Sequence, residues 1–278
     1  MKKFNKFQLN NKVAIITGSC GLLGKEHAYA LLEAGCKVII TDLSVKALNT
    51  VKKELETTFK SENILCMKMD VTNKKDIQKV KNNLEEKDMS INILINNAAI
   101  NPKVSKDNKS KELSRFENIT LNDWDSQISV GLSGAFLCSQ VFGQMMLSNK
   151  KGGVILNIAS DLSVISPDQR IYRKPNTLEE NQPVKPVTYS VIKTGLIGLT
   201  RYLSTYWADK NIRVNALSPG GVYTDQDSNF VEQLSSLIPL GRMAKKDEYR
   251  SAIQFLCSDA SSYMNGQNIV IDGGRSIL

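Results

Sequence analysis

Tyr189 and Lys193 stand four residues apart in the run YSVIK, a spacing that puts two side chains on one face of a helix. An ammonium beside a phenol favours the phenolate, so the pair could make Tyr189 an acid and base near neutral pH. That chemistry needs a redox partner close by, and the amino-terminal segment supplies a place for one. KVAIIT at 12–17 reads as a buried strand, TGSCGLLG at 17–24 as a glycine turn, and the stretch after it as a helix. Gly18, Gly21 and Gly24 fit G-x-x-G-x-x-G, which tightens the turn, lets the main chain approach a pyrophosphate and packs helix on strand. The helix N-terminus then faces the phosphates. Asp42 closes a second apolar run, KVIIT, where a carboxylate accepts hydrogen bonds from ribose hydroxyls and repels a 2′-phosphate. NAD is therefore favoured over NADP: Ser19, Cys20 and Leu43 offer no cation, and the nearest basic candidate is Lys46.

The elements that must position these residues alternate along the chain. Strands are expected near 12–17, 37–41, 64–68, 91–96, 153–159, 212–217 and 267–271, with helices over 22–34, 44–59, 73–88, 122–148, 187–209 and 245–258. This is the order of an α/β doubly wound, mostly parallel seven-stranded sheet with helices on both faces. Its ligand lies across the carboxyl ends of the strands where the winding reverses.

The 278 residues, 41% hydrophobic, suit a single catalytic domain over 1–278. No apolar run of signal-peptide or membrane-spanning type is evident, so the cytoplasm is the expected location. The five cysteines are odd in number and widely spaced, which reads as reduced core residues. With His27 the only histidine, neither a metal site nor a Ser-His-Asp triad can be assembled; His27 is expected at a helix surface or in packing. The net charge of +8 comes mainly from scattered lysines, without a basic run interleaved with aromatics, so no nucleic-acid or membrane partner is expected.

The chain resembles the short-chain dehydrogenase/reductase family. The pieces that carry the resemblance are TGSCGLLG at 17–24, Asp42, Asp70 with Val71, NNAA at 96–99, NIAS at 157–160, YSVIK at 189–193, SPGGVYT at 218–224 and DGG at 272–274. It implies a Rossmann-type fold with Ser160, Tyr189 and Lys193 as the catalytic group. Ser160 would orient the substrate oxygen, and Lys193 would lower the Tyr189 pKa and hold the nicotinamide ribose. Besides the three glycines, Ser19, Leu23, Asp42, Asn97 and Ala98 would contact the cofactor. Asp70 and Val71 would hold the adenine, Asn96 would support the central strand, and Pro219, Gly220, Val222 and Thr224 would wrap the nicotinamide. Relatives pair the helices corresponding to 122–148 and 187–209, which implies a homotetramer or homodimer.

Three departures stand out. The glycine spacing has Leu22 where the short branch of the family has its second glycine, Ala99 replaces the usual glycine of NNAG, and Gly131 stands where the family's catalytic asparagine belongs. Gly131 is expected to leave room for a water held by neighbouring groups such as Ser129 or Ser133, so that Gly131→Asn would be tolerated. Two polar insertions, 101–118 and 161–186, fall where a substrate should bind. In the second, Arg170, Arg173 and Lys174 are candidates to bind an anionic substrate group. The run PDQRIYRKP with QPVKPVTYSVIK resembles bacterial dehydrogenases associated with flagellin glycosylation and surface-sugar biosynthesis, which implies a sugar substrate, phosphorylated or nucleotide-linked. The alternatives are a neutral alcohol or ketone, or an NAD-binding sensor or scaffold that has lost turnover.

Overall fold

The computed structural model describes residues 6–100, 114–148 and 152–278. Seven parallel strands form one sheet: β1 (Val13–Thr17), β2 (Lys37–Asp42), β3 (Ile64–Lys68), β4 (Ile93–Asn96), β5 (Gly153–Ile158), β6 (Ile212–Pro219) and β7 (Asn268–Ile271), in the order β3-β2-β1-β4-β5-β6-β7. This is the doubly wound Rossmann-type arrangement. The winding reverses between β1 and β4, which pair in register from Ala14 with Ile93 to Ile16 with Ile95. A crevice at the carboxyl ends of these two strands is the natural ligand site of such a sheet.

The central strands are covered on both faces, so they carry near-continuous apolar runs instead of alternating ones. One layer centres on Ile16, Ile40, Leu156 and Leu217 with Leu31 and Ile253, and the opposite layer on Ile15, Ile39, Leu94 and Val214 with Phe142 and Met146. Helices α1 (Leu22–Glu33), α2 (Val45–Glu56), α3 (Lys74–Glu86), α4 (Leu121–Ile128), α5 (Gly134–Ser148), α6 (Val187–Tyr206), α7 (Ser228–Ser236) and α8 (Arg250–Cys257) surround the sheet.

A turn of π-helix, Ser129–Ser133, joins α4 to α5. The continuous stretch Leu121–Ser148 is long and apolar enough to cross a membrane, but here Cys138, Phe142 and Met146 bury its inner side. The sequence reading extended the last helix to 245–258, where the structure has α8 only from Arg250, and it missed α7. Residues Glu248 and Lys245 instead close a turn, with the Lys245 amide donating to Glu248 Oε2 at 2.7 Å.

Helix starts differ in a way that bears on the site. Ser44 caps α2, Asn73 caps α3 and Thr120 caps α4 by accepting main-chain N–H bonds. α1 begins at Gly21 with no side-chain cap, so its first-turn amides are left available to a ligand at the crevice.

Candidate active site

The glycine turn is fixed from beneath by β4. Asn97 donates from Nδ2 to the carbonyls of Thr17 (3.0 Å) and Gly18 (2.9 Å), while Thr17 Oγ1 accepts from the amides of Asn97 and Ala98, both at 3.0 Å. Gly18 has φ +62°, and a Cβ there would come within 2.8 Å of Ala98 Cα. A Cβ on Gly24 would collide with the Gly18 carbonyl and with Ser19 Cα. Both positions are closed to side chains on steric grounds. Gly21 meets only the Gly18 carbonyl, at 3.3 Å, so its glycine is not demanded by crowding inside the protein. Ser19 is turned inward: its Oγ donates to the Ile16 carbonyl and accepts from the Thr41 amide at 2.9 Å.

Asp42 ends β2 with its carboxylate accepting from the amides of Leu43 (2.8 Å) and Cys20 (3.1 Å). Its charge beside Cys20, with burial as the larger cause, pushes that thiol up to about 12. Lys25 lies nearby but is held by Glu54 at 2.6 Å. Among these groups the carboxylate is the dominant local charge, which suits ribose hydroxyls and opposes a 2′-phosphate.

Asp70 is committed to a turn, with Oδ1 accepting from Thr72 N and Oγ1, and Val71 packs where Gly134 of α5 lacks a side chain. His27 is fully buried and held neutral, its pKa pushed down to about 3 by burial. Of the two places expected for it, packing is the one found. The cysteines are all free thiols, and among the described residues no group of side chains has the composition of a metal site.

A buried ladder sets the second half of the site. Asn96 Nδ2 donates to Asn157 Oδ1 (2.8 Å), and Asn157 Nδ2 donates to Thr200 Oγ1 (2.8 Å), tying β4 to β5 and β5 to α6. Polar groups this deep fix register because an unpaired one is costly. α6 thereby presents Tyr189 and Lys193 to the end of β5, where Ser160 begins a tight turn. Ser160, Tyr189 and Lys193 line one cleft of 330 Å³ together with Leu22, Leu23, Asn97, Pro219, Gly220, Val222 and Thr224. Lys193 Nζ donates to the Ile158 carbonyl at 2.7 Å and sits 5.6 Å from the Tyr189 ring centroid. The Ser160 hydroxyl is close enough to Tyr189 to favour the ionised phenol.

The electrostatics depart from the expected picture. Burial pushes the Tyr189 phenol up, the Ser160 hydroxyl opposes this, and the charge of Asp161 adds to it. Lys193 is itself lowered to about 8, first by burial and then by Lys185. Desolvation, not the charge of Lys193, sets the direction of the Tyr189 shift.

Four residues that sequence reasoning missed complete the cleft: Asp161, Tyr172, Lys185 and Arg275. Asp161 accepts from Ser160 Oγ at 2.8 Å and, through its other oxygen, from Arg275 Nη1 at 2.7 Å; both side chains of the ion pair are buried. Lys185 Nζ lies 3.8 Å from the Tyr189 ring centroid. Only Lys185 left a signal, standing four residues before Tyr189.

The three basic residues singled out in the insertion are placed elsewhere. Arg170 is largely exposed and bound to Asp168 at 2.7 Å, Arg173 is bound to Glu179 at 2.6 Å, and none of Arg170, Arg173 and Lys174 lines the cleft. The reason is local packing. Ile171 and Tyr172 are the residues this turn buries, against Phe230 and Leu234 of α7, and their neighbours point outward. Lys174 instead gives its amide to Gln182, whose side chain brackets the loop. Most of the first insertion, 101–113, lies outside the described residues.

Gly131 also differs from expectation. It is buried in the π turn, and a Cβ there would lie 2.7 Å from Ile192 Cγ2 and 3.1 Å from its Cδ1. Ile192 occupies the space in which an asparagine or its water was expected.

Comparison with known proteins agrees with this geometry. Residues 12–172 match the short chain dehydrogenase family model, and residues 178–276 match the model described as enoyl-(acyl carrier protein) reductase. An NAD-dependent glycerol dehydrogenase of Listeria innocua is 30% identical over 282 residues, covering 99% of this chain and 98% of the relative. A 2-dehydro-3-deoxy-D-gluconate 5-dehydrogenase of Dickeya dadantii is 29% identical, covering 97% of each. Among solved structures, a gluconate 5-dehydrogenase from Burkholderia cenocepacia, in complex with NADP and tartrate, superposes with a TM-score of 0.83 at 26% identity and 98% coverage of both chains.

Proposed function

This chain belongs to the short-chain dehydrogenase/reductase family, whose members here are dehydrogenases and reductases acting on CH–OH groups, and on that premise we propose an NAD-dependent interconversion of a secondary alcohol and a ketone on a sugar or sugar-derived anionic substrate. The observation that carries the reading is one continuous cleft lined both by the glycine-turn helix start and by Ser160, Tyr189 and Lys193. Preference for NAD rests on Asp42 and on the pairing of Lys25 with Glu54; relatives with NAD and with NADP both exist.

The donor set fits a dinucleotide: uncapped amides at the start of α1, a glycine at 24 held by close contact, and a carboxylate at the end of β2. The bound nicotinamide supplies the hydride acceptor or donor. In ketone reduction Tyr189, kept protonated by burial, donates its proton to the substrate oxygen. In alcohol oxidation it takes that proton, which requires the phenolate. Ser160 is held from two sides, its hydroxyl donating to Asp161 Oδ1 and its oxygen accepting from the Leu162 amide, which fixes the Oγ in the cleft with one lone pair left for a substrate hydroxyl. Lys193, anchored on the Ile158 carbonyl, sits where it can hold the nicotinamide ribose. Asp70 and Val71 are assigned to the adenine end, and Pro219 through Thr224 to the nicotinamide end.

The whole chain is taken as one catalytic domain working in the cytoplasm. A homotetramer or homodimer would pair α4, α5 and α6, where Phe136, Tyr202 and Tyr206 are exposed. Likeness to a glycerol dehydrogenase favours a neutral polyol as the competing substrate class. The test is the absorbance of reduced nicotinamide with wild-type protein and Tyr189→Phe. Turnover should fall by roughly 10²–10⁴-fold in the variant with NADH affinity unchanged; retained turnover would move the acid and base role to another residue.

A further inference from the structure

The cleft holds one carboxylate, Asp161, against three cations, Lys185, Lys193 and Arg275. Their places in the cleft differ. Asp161 and Arg275 form a buried pair at 2.7 Å and neutralise one another, and Lys193 donates to the Ile158 carbonyl deep beneath Tyr189. Lys185 precedes α6, lies over the face of the Tyr189 ring at 3.8 Å, and lines both the catalytic cleft and an adjoining hollow of 540 Å³ bounded by Leu162, Ser163 and Ser190 and by Arg115 with Glu117, which pair with each other at 3.6 Å. A substrate whose reacting carbon reaches Tyr189 and whose remaining chain extends into that hollow must pass this ammonium.

We infer that Lys185 is a specificity-determining residue that binds an anionic group, a carboxylate or phosphate, on the substrate chain beyond the reacting carbon. The inference rests on the oxidoreductase reading for what reacts, and adds which side chain reads the substrate. It replaces Arg170 and Arg173, which face solvent and are paired with acids of their own loop. Burial pushes Lys185 down to about 8 although the charge of Asp161 opposes this, so the ammonium is still the main form at neutral pH, and an anion beside it stabilises that form further. Such a charge-assisted contact in a partly desolvated cleft is stronger than one at the surface. A lysine also accepts either carboxylate or phosphate, having no fixed fork to match one of them.

The test is calorimetric binding of tartrate, D-gluconate and a hexose 6-phosphate, with glycerol and threitol as neutral probes, to the full-length protein with and without NADH. The proteins compared are wild type, Lys185→Met and Lys185→Arg. The expected result is that at least one anionic probe binds wild type, at least tenfold more weakly binds Lys185→Met, and largely recovers with Lys185→Arg. NADH affinity should be the same in all three, and the melting temperature of Lys185→Met should not fall. Equal anion affinity in wild type and Lys185→Met, or no anionic probe binding better than the neutral ones, overturns the inference. The two readings fail separately: loss of NADH binding in wild type would sink the oxidoreductase reading, whereas the anion comparison without NADH still decides the role of Lys185.

Discussion

The two halves of the cleft are built from different materials. On the amino-terminal side, the surface offered to a ligand is mostly main chain: glycines that no Cβ could replace, uncapped amides at the start of α1, and one carboxylate held by the amides of Leu43 and Cys20. On the carboxyl-terminal side it is made of buried and half-buried ionisable side chains, Asp161, the group Lys185, Tyr189 and Lys193, and the distant Arg275. A main-chain site is part of the fold and adds little cost of its own. A cluster of buried charges opposes folding unless each is paired, and is retained where it serves chemistry. The cofactor side should therefore tolerate little change without losing the turn, while on the substrate side the sign of a stability change should depend on whether the altered charge is paired.

The largest stability effect is expected at the buried Asp161–Arg275 pair. Asp161→Asn leaves the buried Arg275 guanidinium without its counter-charge and should destabilise by about 3 kcal/mol, read by denaturant unfolding. It should also lower turnover more than it changes NADH affinity, since Ser160 loses its orienting acceptor. A variant as stable as wild type would mean that Arg275 finds another partner.

Next comes Gly131→Asn. Adding a side chain where Cβ would already be 2.7 Å from Ile192 Cγ2 should cost about 1–3 kcal/mol through overpacking. Ile192→Ala in the same chain should recover part of that loss, and the coupling between the two positions is measurable by a double-mutant cycle. Additive effects would show that the two side chains do not compete for the space.

Lys185→Met should move stability the other way. The lysine has a folded pKa of about 8, below its ordinary 10.5, so between these values the unfolded chain binds more protons than the folded one. The cost of this group is full below pH 8 and fades as pH rises toward 10.5. The variant should therefore be more stable than wild type at pH 7 by about 1–3 kcal/mol, with the gap closing by pH 10. A gap that widens with pH would show that the lysine is stabilised in its charged form. The smallest effect belongs to Arg170→Ala combined with Arg173→Ala: both side chains face solvent, and surface pairs of this kind contribute about 0–1 kcal/mol. Michaelis constants should stay within about twofold, below the tenfold that 1.4 kcal/mol represents.

This contrast also explains what the sequence made legible. The glycine turn, β1, β2 and Asp42 are spaced by local geometry, so Gly18, Gly24 and the strand order could be read directly, and the Tyr189–Lys193 spacing follows from one helix. The substrate side could not be read that way. Arg275 reaches Asp161 across 114 positions in the chain, and no local pattern reports such a contact. Arg170 and Arg173 looked suitable as anion ligands by charge alone, yet Asp168 and Glu179 in the same loop take them up, and Ile171 decides which way the turn faces. α7 was missed because its role is to pack Phe230 and Leu234 on the insertion, a contact outside the strand–helix alternation. Gly131 was read as space; only the placement of Ile192 shows that the space is filled.

The measurement that bears most directly on the function is the substrate-dependent change in reduced-nicotinamide absorbance of the wild-type protein, with NAD and NADP compared across sugar acids, sugar phosphates, nucleotide sugars and polyols. The expected result is turnover of an anionic sugar derivative with NAD preferred at least tenfold, as a carboxylate beside a 2′-phosphate costs more than about 1.4 kcal/mol. A protein that binds NADH with full affinity but turns over none of these compounds, with Tyr189→Phe indistinguishable from wild type, would contradict it and leave a nucleotide-binding sensor in its place.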